Sequence, residues 1–384
     1  MPPINSFDII VIGSGCAGLS FVEALNQLDQ TKRILVLEQA TSLSEIPKKT
    51  WSFWTQNPNH FQHILWHEWQ SWYISTKNQS ALLNSQKLTY QSIHSEKYLN
   101  HCLNHLSTNP NITFLFNQSI TGVTYPTQTL CQVHSDTDCW DTHWVIDTRP
   151  PMMKRDFELI QSFRGAYVKT NTPLFNPTQF GLMDQIKTIH KTIQFTYLLP
   201  KDPYTCLIES TVLHPPNATI DLDDLLEHDL KRICDNHNFS IIREERGHLP
   251  MTSHTFKQPS HKRHIYAGQS AGALRPSSGY GFIRILNWAH YAAQSYHLKK
   301  YIPKPNYNRG IMHRMDKIFL NVLTQTPEIA PTLFLSLANK LNGDEFAMFM
   351  MDQPNIHIWL KIMHALPTRT MIKGLIKKRV PHVV

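Results

Sequence analysis

The chain opens with a short apolar run at residues 7–12, which predicts a strand buried on both faces, as in a parallel sheet. Three glycines follow within residues 13–18. Residues 19–29 then show the helical spacing of apolar positions, and residues 33–37 form a second apolar strand. This order of elements predicts a complete βαβ unit at the start of the chain.

The pattern changes in the middle of the chain. Between residues 161 and 251 apolar and polar positions alternate in several places, which indicates antiparallel strands. From about residue 305 onward the chain is predicted to be largely helical. After the βαβ unit the sequence predicts the following elements in chain order: a helix at 97–106, strands at 111–116, 123–125, 144–147, 193–199 and 206–212, a helix at 222–236, a buried strand at 264–268 and a helix within 279–299.

The glycines of the first loop form the motif Gly13-x-Gly15-x-x-Gly18, and Glu38 stands at the end of the second strand. Gly13 permits the tight turn, Gly15 lets the backbone approach a pyrophosphate, and Gly18 lets the helix pack closely on the strand. Glu38 can accept hydrogen bonds from ribose hydroxyls. The motif predicts a dinucleotide site, with a tight turn that binds nothing as the alternative reading.

Two later segments, residues 145–147 and 265–268, resemble further strands of the same domain. By fold analogy, a discontinuous domain of this kind favours FAD over NAD. We therefore predict an α/β fold with an FAD-binding Rossmann-like domain of the glutathione-reductase type, an inserted sheet-containing substrate domain and a helical C-terminal part. The predicted boundaries are 1–155 and 262–300 for the FAD domain, 156–261 for the substrate domain and 301–384 for the helical region.

Composition narrows the class of protein. The chain has 384 residues, 41% of them hydrophobic and 17% charged, which is typical of a folded protein. The net charge of +8 arises from scattered basic residues without a nucleic-acid-binding motif, so we expect no nucleic-acid partner. Six cysteines without close pairs favour a reducing compartment, and neither a signal peptide nor a membrane-spanning stretch is predicted.

Five motifs together resemble the lycopene β-cyclase family, especially its bacterial flavoprotein members. Their order and spacing are more specific than the glycine loop, and the resemblance runs from about residue 7 to beyond residue 330. The motifs are Thr50-Trp51-Ser52-Phe53, Leu182-Met183-Asp184, Phe195-Thr196-Tyr197-Leu198-Leu199-Pro200, Leu207-Ile208-Glu209-Ser210-Thr211 and Arg275-Pro276-Ser277-Ser278-Gly279-Tyr280-Gly281-Phe282.

The resemblance implies a redox-neutral reaction with reduced FAD, in which NAD(P)H serves at most to reduce the flavin. The substrate would be lycopene or a related acyclic carotene. Protonation of a terminal double bond gives a tertiary carbocation, the neighbouring double bond attacks it, and loss of a proton yields a β-ring. Such chemistry needs a strong acid in an apolar cavity that excludes water.

Glu209 is the candidate acid, because it stands in an otherwise apolar predicted strand that can direct it towards a cavity. Desolvation there would keep its carboxyl group protonated near neutral pH. The alternative is an ordinary exposed or ion-paired carboxylate. The resemblance places Glu209 at the position of the family's essential acid. The family usually has a second acidic residue next, where this chain has Ser210, so the role of that second carboxylate is absent or moved.

The resemblance and the predicted loops suggest further site residues. Asp184 is a candidate for tuning Glu209 or handling the released proton, with helix or loop capping as the alternative. Aromatic side chains could line the polyene site or simply belong to the core. The cofactor candidates beyond the first loop are Asp147, Gly268, Gly279, Tyr280 and Gly281, and the substrate candidates are Trp51, Phe53, Trp54 and Tyr197.

Two other patterns bear on metals and membranes. His60, His63 and His67 share helical spacing, but no accompanying ligand motif occurs, so no metal is expected. Near the C-terminus an apolar stripe at Ile358, Trp359, Ile362, Met363, Leu366, Met371, Ile372, Leu375 and Ile376 is flanked by Lys361, Arg369, Lys373, Lys377, Lys378 and Arg379. It could lie on an anionic bilayer or pack on the substrate domain. We expect a cytoplasmic protein bound peripherally to the inner membrane.

Two other functions remain open at this point. A redox flavoenzyme of the same superfamily, such as a hydroxylase or a prenyl reductase, would consume NAD(P)H in proportion to product. A protein with the FAD fold that only binds a carotenoid or prenyl chain would retain its ligand without turnover. The sequence does not distinguish a β-ring from an ε-ring, or one cyclised end from two.

Overall fold

The computed structural model describes residues 6–151, 157–307, 310–367, 371 and 374. Seventeen strands in this part of the chain form two seven-stranded sheets and one three-stranded sheet. Eight α-helices pack around them. The predicted α/β architecture with a helical C-terminal part is therefore confirmed.

The first sheet carries the βαβ unit. Its strands β8, β2, β1, β11 and β17 are parallel, and β10 and β9 extend it in antiparallel fashion. Helices α1, α2 and α4 cover one face. The elements of this layer are β1 (Ser6–Ile12), α1 (Cys16–Leu28), β2 (Ile34–Leu37), α2 (Ser95–Leu106), β8 (Ile112–Leu115), β9 (Ile120–Thr124), β10 (Cys131–Ser135), β11 (Cys139–Asp147), β17 (His264–Tyr266) and α4 (Phe282–Lys299).

The second sheet has the order β16-β12-β15-β14-β13-β5-β6. All of its neighbouring strands are antiparallel except β13 and β5. Two of its strands come from residues before 150, so this sheet draws on both sides of the predicted boundary at 156. Its elements are β5 (Ser71–Ser75), β6 (Ser80–Asn84), β12 (Leu159–Thr170), β13 (Gln179–Ile189), β14 (Thr192–Pro200), β15 (Thr205–His214), α3 (Leu222–Cys234) and β16 (Phe239–Met251).

A small sheet and four helices complete the fold. The small sheet has the order β3-β7-β4, and the C-terminal helices bury their apolar sides in one core cluster with the second sheet. The small sheet consists of β3 (Thr50–Thr55), β4 (Leu65–Trp69) and β7 (Thr89–His94), and the helices are α5 (Gly310–Gln325), α6 (Ala330–Lys340), α7 (Gly343–Met350) and α8 (Ile356–Ala365).

The three spaced histidines do not share a helix. His60 and His63 lie in a 3-10 helix, Pro58–Ile64, while His67 lies in β4. The predicted common helical face is therefore wrong, because the chain turns into a strand at Leu65. Among the described residues, no group of three or more His, Cys, Asp or Glu side chains is arranged to hold a metal ion.

The predicted C-terminal stripe faces mainly inward. Ile358, Trp359, Ile362 and Leu366 are buried against the core, so packing on the protein describes this part of the stripe. A different side of α8 is exposed, at Ile356, Leu360 and Met363. Ile372, Leu375 and Ile376 lie outside the described residues, as do Arg369, Lys373, Lys377, Lys378 and Arg379. No helix within the described ranges has the length and apolar character to cross a bilayer.

Candidate active site

The glycine loop between β1 and α1 has the geometry of a dinucleotide-binding turn. Gly13 adopts a positive φ of 99°, which favours glycine. A Cβ on Gly18 would lie 2.2 Å from the Gly13 carbonyl oxygen and 2.9 Å from Val11 Cγ1, so the helix can approach the strand only without a side chain there. Gly15, in contrast, faces open space beside the N-terminus of α1.

Glu38 lies beside the same loop. Its Oε2 accepts hydrogen bonds from the Ser14 backbone N–H (2.7 Å) and the Ser14 hydroxyl (2.8 Å), and its Oε1 accepts one from the Ala40 N–H (3.0 Å). A carboxylate fixed at the end of β2 can accept further hydrogen bonds from a ribose. The loop, the helix N-terminus and Glu38 thus form an anion-binding cradle with a ribose acceptor at its edge.

A long groove connects this cradle to the second sheet. Gly13, Gly15 and Glu38 line one end, and Glu209 lines the other. The predicted cofactor residues Gly268, Gly279, Tyr280 and Gly281 also line it, as do residues that the sequence did not single out, namely Lys49, Gln118, Thr148, Arg149, Gln161, His248 and Gln269.

Asp147 is a predicted cofactor residue whose side chain is engaged elsewhere. It is 1% exposed and pairs with Arg149, whose Nη2 lies 2.6 Å from its Oδ2. Burial alone would raise the pKa of Asp147, but the nearby His264 and the hydrogen bonds from Arg149 outweigh it, so the pKa is lowered. Its side chain does not reach the groove, and its neighbour Arg149 lines the groove instead.

Four residues on neighbouring strands of the second sheet form a row beside the groove. Glu209 on β15 is paired in register with Gly165 on β12 and with Tyr197 on β14, and Gly165 is paired on its other side with Glu245 on β16. Directly opposed residues project to the same face of an antiparallel sheet. Because Gly165 has no side chain, the carboxyl groups of Glu209 and Glu245 can meet above it.

The two carboxyl groups differ in their surroundings. Burial, and then the charge of Glu245, raise the pKa of Glu209 well above its ordinary value. Burial also raises the pKa of Glu245, but Thr50 Oγ1 donates to its Oε2 (2.7 Å) and Arg243 Nη2 lies 3.8 Å away. The proton of the pair is therefore favoured on Glu209, and Glu245 is the better stabilised anion.

Asp184 and Ser210 lie on the opposite face of this sheet. Asp184 Oδ2 pairs with Arg232 Nη1 at 2.9 Å, and Ser210 donates to Asp229 Oδ2 at 2.6 Å. Successive residues of a strand project to opposite faces, so position 210 faces away from Glu209. The structure does not bring Asp184 to the acid, and the carboxylate beside Glu209 comes from residue 245.

The predicted aromatic group divides between groove and core. Trp51 lines the groove, whereas Phe53 and Trp54 are 3% and 2% exposed and pack in the core. The ring of Trp54 contacts those of Tyr90 and Tyr280, with centroids 4.5 and 5.4 Å apart. Phe53 and Trp54 therefore belong to the core, which was the alternative to a role in lining the polyene site.

Beyond the groove lies an apolar cavity, most of whose lining residues the sequence did not predict. Tyr197 and Tyr280 line both spaces and stand between them. The C-terminal helices supply much of the cavity wall, which explains why strand motifs alone did not reveal it. Its apolar lining includes Leu182, Phe195, Met315, Phe319, Phe334, Leu337, Phe346, Phe349, Trp359 and Ile362.

Known structures share this fold. A geranylgeranyl bacteriochlorophyll reductase-like protein from Thermoplasma acidophilum superposes with a TM-score of 0.63 at 13% identity, covering 97% of this chain and 98% of its own. A p-nitrophenol 4-monooxygenase from Pseudomonas putida gives a TM-score of 0.56 at 13% identity, covering 96% and 99%. A halogenase in complex with phloroglucinol and FAD gives 0.54 at 10%, covering 92% and 78%. The predicted FAD-binding Rossmann-like fold is confirmed.

The sequence comparisons give the family. No curated protein matches the chain at a significant level. The family model described as lycopene cyclase protein, however, matches residues 8–329, which include the glycine loop, Glu38, Glu209 and Glu245. Because this match spans most of the chain, the protein belongs to the lycopene cyclase family.

Proposed function

We propose that this protein is a lycopene cyclase that binds FAD and uses it in the reduced form to convert the acyclic ends of lycopene, or of a related carotene, into β-rings. The observation that carries the proposal is the position of Glu209. Its carboxyl group lies where the dinucleotide groove meets the tyrosines that border an apolar cavity. A proton donor is thus held between a cofactor site and a hydrocarbon site.

The groove fits FAD in its chemistry. The backbone around Gly13 and Gly15 and the N-terminus of α1 suit a pyrophosphate, and Glu38 suits the adenosine ribose. Gly279 and Gly281 line the same groove as Glu209, where an isoalloxazine ring would lie. A reduced flavin bound there would supply an electron-rich ring that stabilises positive charge on a neighbouring substrate.

The side chains of the site support an acid-catalysed cyclisation. The Glu209 proton forms the new C–H bond at a terminal double bond, and the electron pair of the next double bond closes the ring. The ring cation then loses a proton from the adjacent carbon, and a carboxylate of the Glu209–Glu245 pair can take it up. Substrate and product have the same mass, and the enzyme recovers its proton.

The apolar cavity suits the polyene. Its wall consists largely of Leu, Ile, Met and aromatic side chains, so water has few hydrogen-bonding partners there. Exclusion of water protects a carbocation from capture. The faces of Tyr197 and Tyr280, at the border with the groove, can stabilise the cation through their π-electrons.

We also propose that the protein binds the inner membrane peripherally from the cytoplasm, because its substrate is a hydrocarbon. The exposed Ile356, Leu360 and Met363 lie on the outer side of α8, whose inner side helps to enclose the apolar cavity. Sedimentation with anionic liposomes tests this: replacement of these three residues by serine should release the protein, and unchanged binding would contradict it.

An anaerobic assay tests the function. Purified protein loaded with reduced FAD is given lycopene in liposomes. The pigments are then separated by chromatography, and their masses are measured by mass spectrometry. We expect ring-containing products with the mass of lycopene, and NAD(P)H consumed only to reduce the flavin. NAD(P)H oxidation in proportion to product would indicate a redox enzyme, and lycopene bound but unchanged would indicate a binding protein.

A further inference from the structure

Glu245, Gly165 and Glu209 form a row across three strands, and the central residue of the row, Gly165, has no side chain. A Cβ at position 165 would lie 3.1 Å from Glu245 Cγ and 3.4 Å from Glu209 Cβ. The space that any other residue would fill is thus occupied by the two glutamates themselves. Since the three strands are held in register by β-sheet pairing, this proximity follows from the backbone and not from a flexible loop.

The hydrogen bonds and charges around the pair are unequal. Glu245, 4% exposed, accepts from Thr50 Oγ1 and faces Arg243. Glu209 accepts a hydrogen bond from Thr211 Oγ1 at 3.1 Å and is open to the groove. A negative charge is therefore better stabilised on Glu245, which leaves the proton on the residue that faces the substrate side.

We propose that Glu245 is a positioning residue that retains and orients the catalytic proton on Glu209, so that the acid of this site is a pair of carboxyl groups. The inference rests on the proposed function, because it assigns the proton that the cyclisation consumes. In the resting site Glu209 donates its O–H to the Glu245 carboxylate. Two carboxyl groups this close cannot readily ionise together, so the pair keeps one proton.

The pair also accounts for the return of the proton. When Glu209 protonates the double bond it becomes anionic like Glu245, and two negative charges then lie close together. Their mutual repulsion makes the pair a strong base at the moment when the ring cation must lose a proton. One proton leaves the pair, one returns, and no external acid, base or oxidant is consumed.

Other titratable groups face the pair from every element packed around it. Among the described groups around the pair the basic side chains are Lys49 and Arg243, and both favour ionised carboxylates. Removal of the Glu245 charge would take away a charge that disfavours an anion on Glu209, while Lys49 would still favour that anion, so the pKa of Glu209 would fall. The groups are Lys49 before β3, Tyr90 on β7, Tyr167 on β12, Tyr197 on β14 and Arg243 on β16.

Infrared spectroscopy of the FAD-loaded protein tests the pair without substrate. The C=O stretch of a protonated buried carboxyl group is followed as pH rises in wild type, Glu209→Gln and Glu245→Gln. We expect the band to persist near neutral pH in wild type, to be absent in Glu209→Gln, and to be lost at a pH lower by about 1–3 pH units in Glu245→Gln. Glu244→Gln is the matched control, because Glu244 is exposed and pairs with Arg164 on the other face.

The alkaline limb of the pH–rate profile should move in Glu245→Gln by the same amount as the infrared band. If Glu245→Gln does not fold, Glu245→Asp replaces it, and this shorter carboxylate should give a smaller shift in the same direction. If the infrared band of Glu245→Gln or Glu245→Asp titrates as in wild type, the proposal that Glu245 retains the proton on Glu209 is refuted. If the band shifts as expected but wild type leaves lycopene unchanged, the pair stands and the proposed function fails.

Discussion

Glu209 and Glu245 lie opposite the same glycine, Gly165, and their carboxyl groups share one side of the second sheet. The two side chains can approach each other because the glycine has none, and Thr50 and Arg243 stabilise a negative charge on Glu245. A carboxylic acid that stays protonated near neutral pH is what protonation of an alkene requires. The fold thus shifts the pKa of Glu209 in the direction that this chemistry requires.

Cyclisation should be lost as pH rises. Burial and the charge of Glu245 raise the pKa of Glu209 well above the ordinary value of 4.5. The active acid is therefore present below the raised pKa and disappears as pH increases through it. Initial rates measured across pH, with the bound flavin kept reduced, should be maintained near neutral pH. A rate that already falls between about pH 4 and pH 5, as for an unperturbed glutamate, would contradict the assignment.

Gly165→Ala should weaken catalysis more than folding. The added Cβ would lie 3.1 Å from both Glu245 Cγ and Leu207 Cδ1, so the Glu245 side chain must shift and the carboxyl pair loses its alignment. We expect at least a tenfold lower rate, or about 1.4 kcal/mol of lost transition-state stabilisation, with FAD still bound. Gly122→Ala in β9 is the matched control, since nothing lies within 4 Å of its added Cβ. Equal rates in the two variants would refute the proposed role of this glycine.

Arg275→Met should destabilise the protein. Arg275 is 1% exposed, its Nη2 lies 3.1 Å from Asp316 Oδ1, and its Nη1 donates to the Phe349 carbonyl oxygen at 2.6 Å. Its removal leaves the buried Asp316 without its main partner, which should cost about 3–5 kcal/mol of unfolding free energy in urea. Lys231→Met, which breaks only an exposed ion pair with Glu227, should leave the urea concentration at the midpoint of unfolding unchanged.

Met315→Trp should obstruct the apolar cavity. Met315 is half-buried and lines this space from α5, away from the glycine loop. We expect lycopene turnover to fall by at least about tenfold, whereas the FAD content of the purified protein stays unchanged. Leu298→Trp provides the control, because Leu298 is 74% exposed on α4. Full turnover in Met315→Trp would place the polyene elsewhere.

Local patterns predicted the parts of the site that are continuous in sequence. The βαβ unit, the glycine loop and Glu38 follow from the spacing of residues 7–38. Glu209 was a candidate because it is a carboxylate in an otherwise apolar strand and because the family resemblance includes it. Glu245 did not emerge, because β16 contains the charged run Arg243-Glu244-Glu245-Arg246 and lacks the apolar alternation of a recognisable strand.

The remaining differences arise from pairing over long distances. Register across β15, β12 and β16 decides that residues 209, 165 and 245 meet, and no single stretch of sequence contains that information. The same holds for Asp184, whose motif lies near that of Glu209 in sequence but whose side chain projects to the other face. The apolar cavity depends on how four C-terminal helices pack on the second sheet, which periodicity alone does not determine.

The most direct test of the account is the activity of Glu209→Gln towards lycopene, compared with wild type and Glu244→Gln at equal FAD content. Glutamine keeps the size and polarity of the side chain but cannot deliver the proton. We predict that wild type and Glu244→Gln form ring-containing products of unchanged mass, and that Glu209→Gln is slower by at least about a hundredfold. Cyclisation by Glu209→Gln at the wild-type rate would contradict the account.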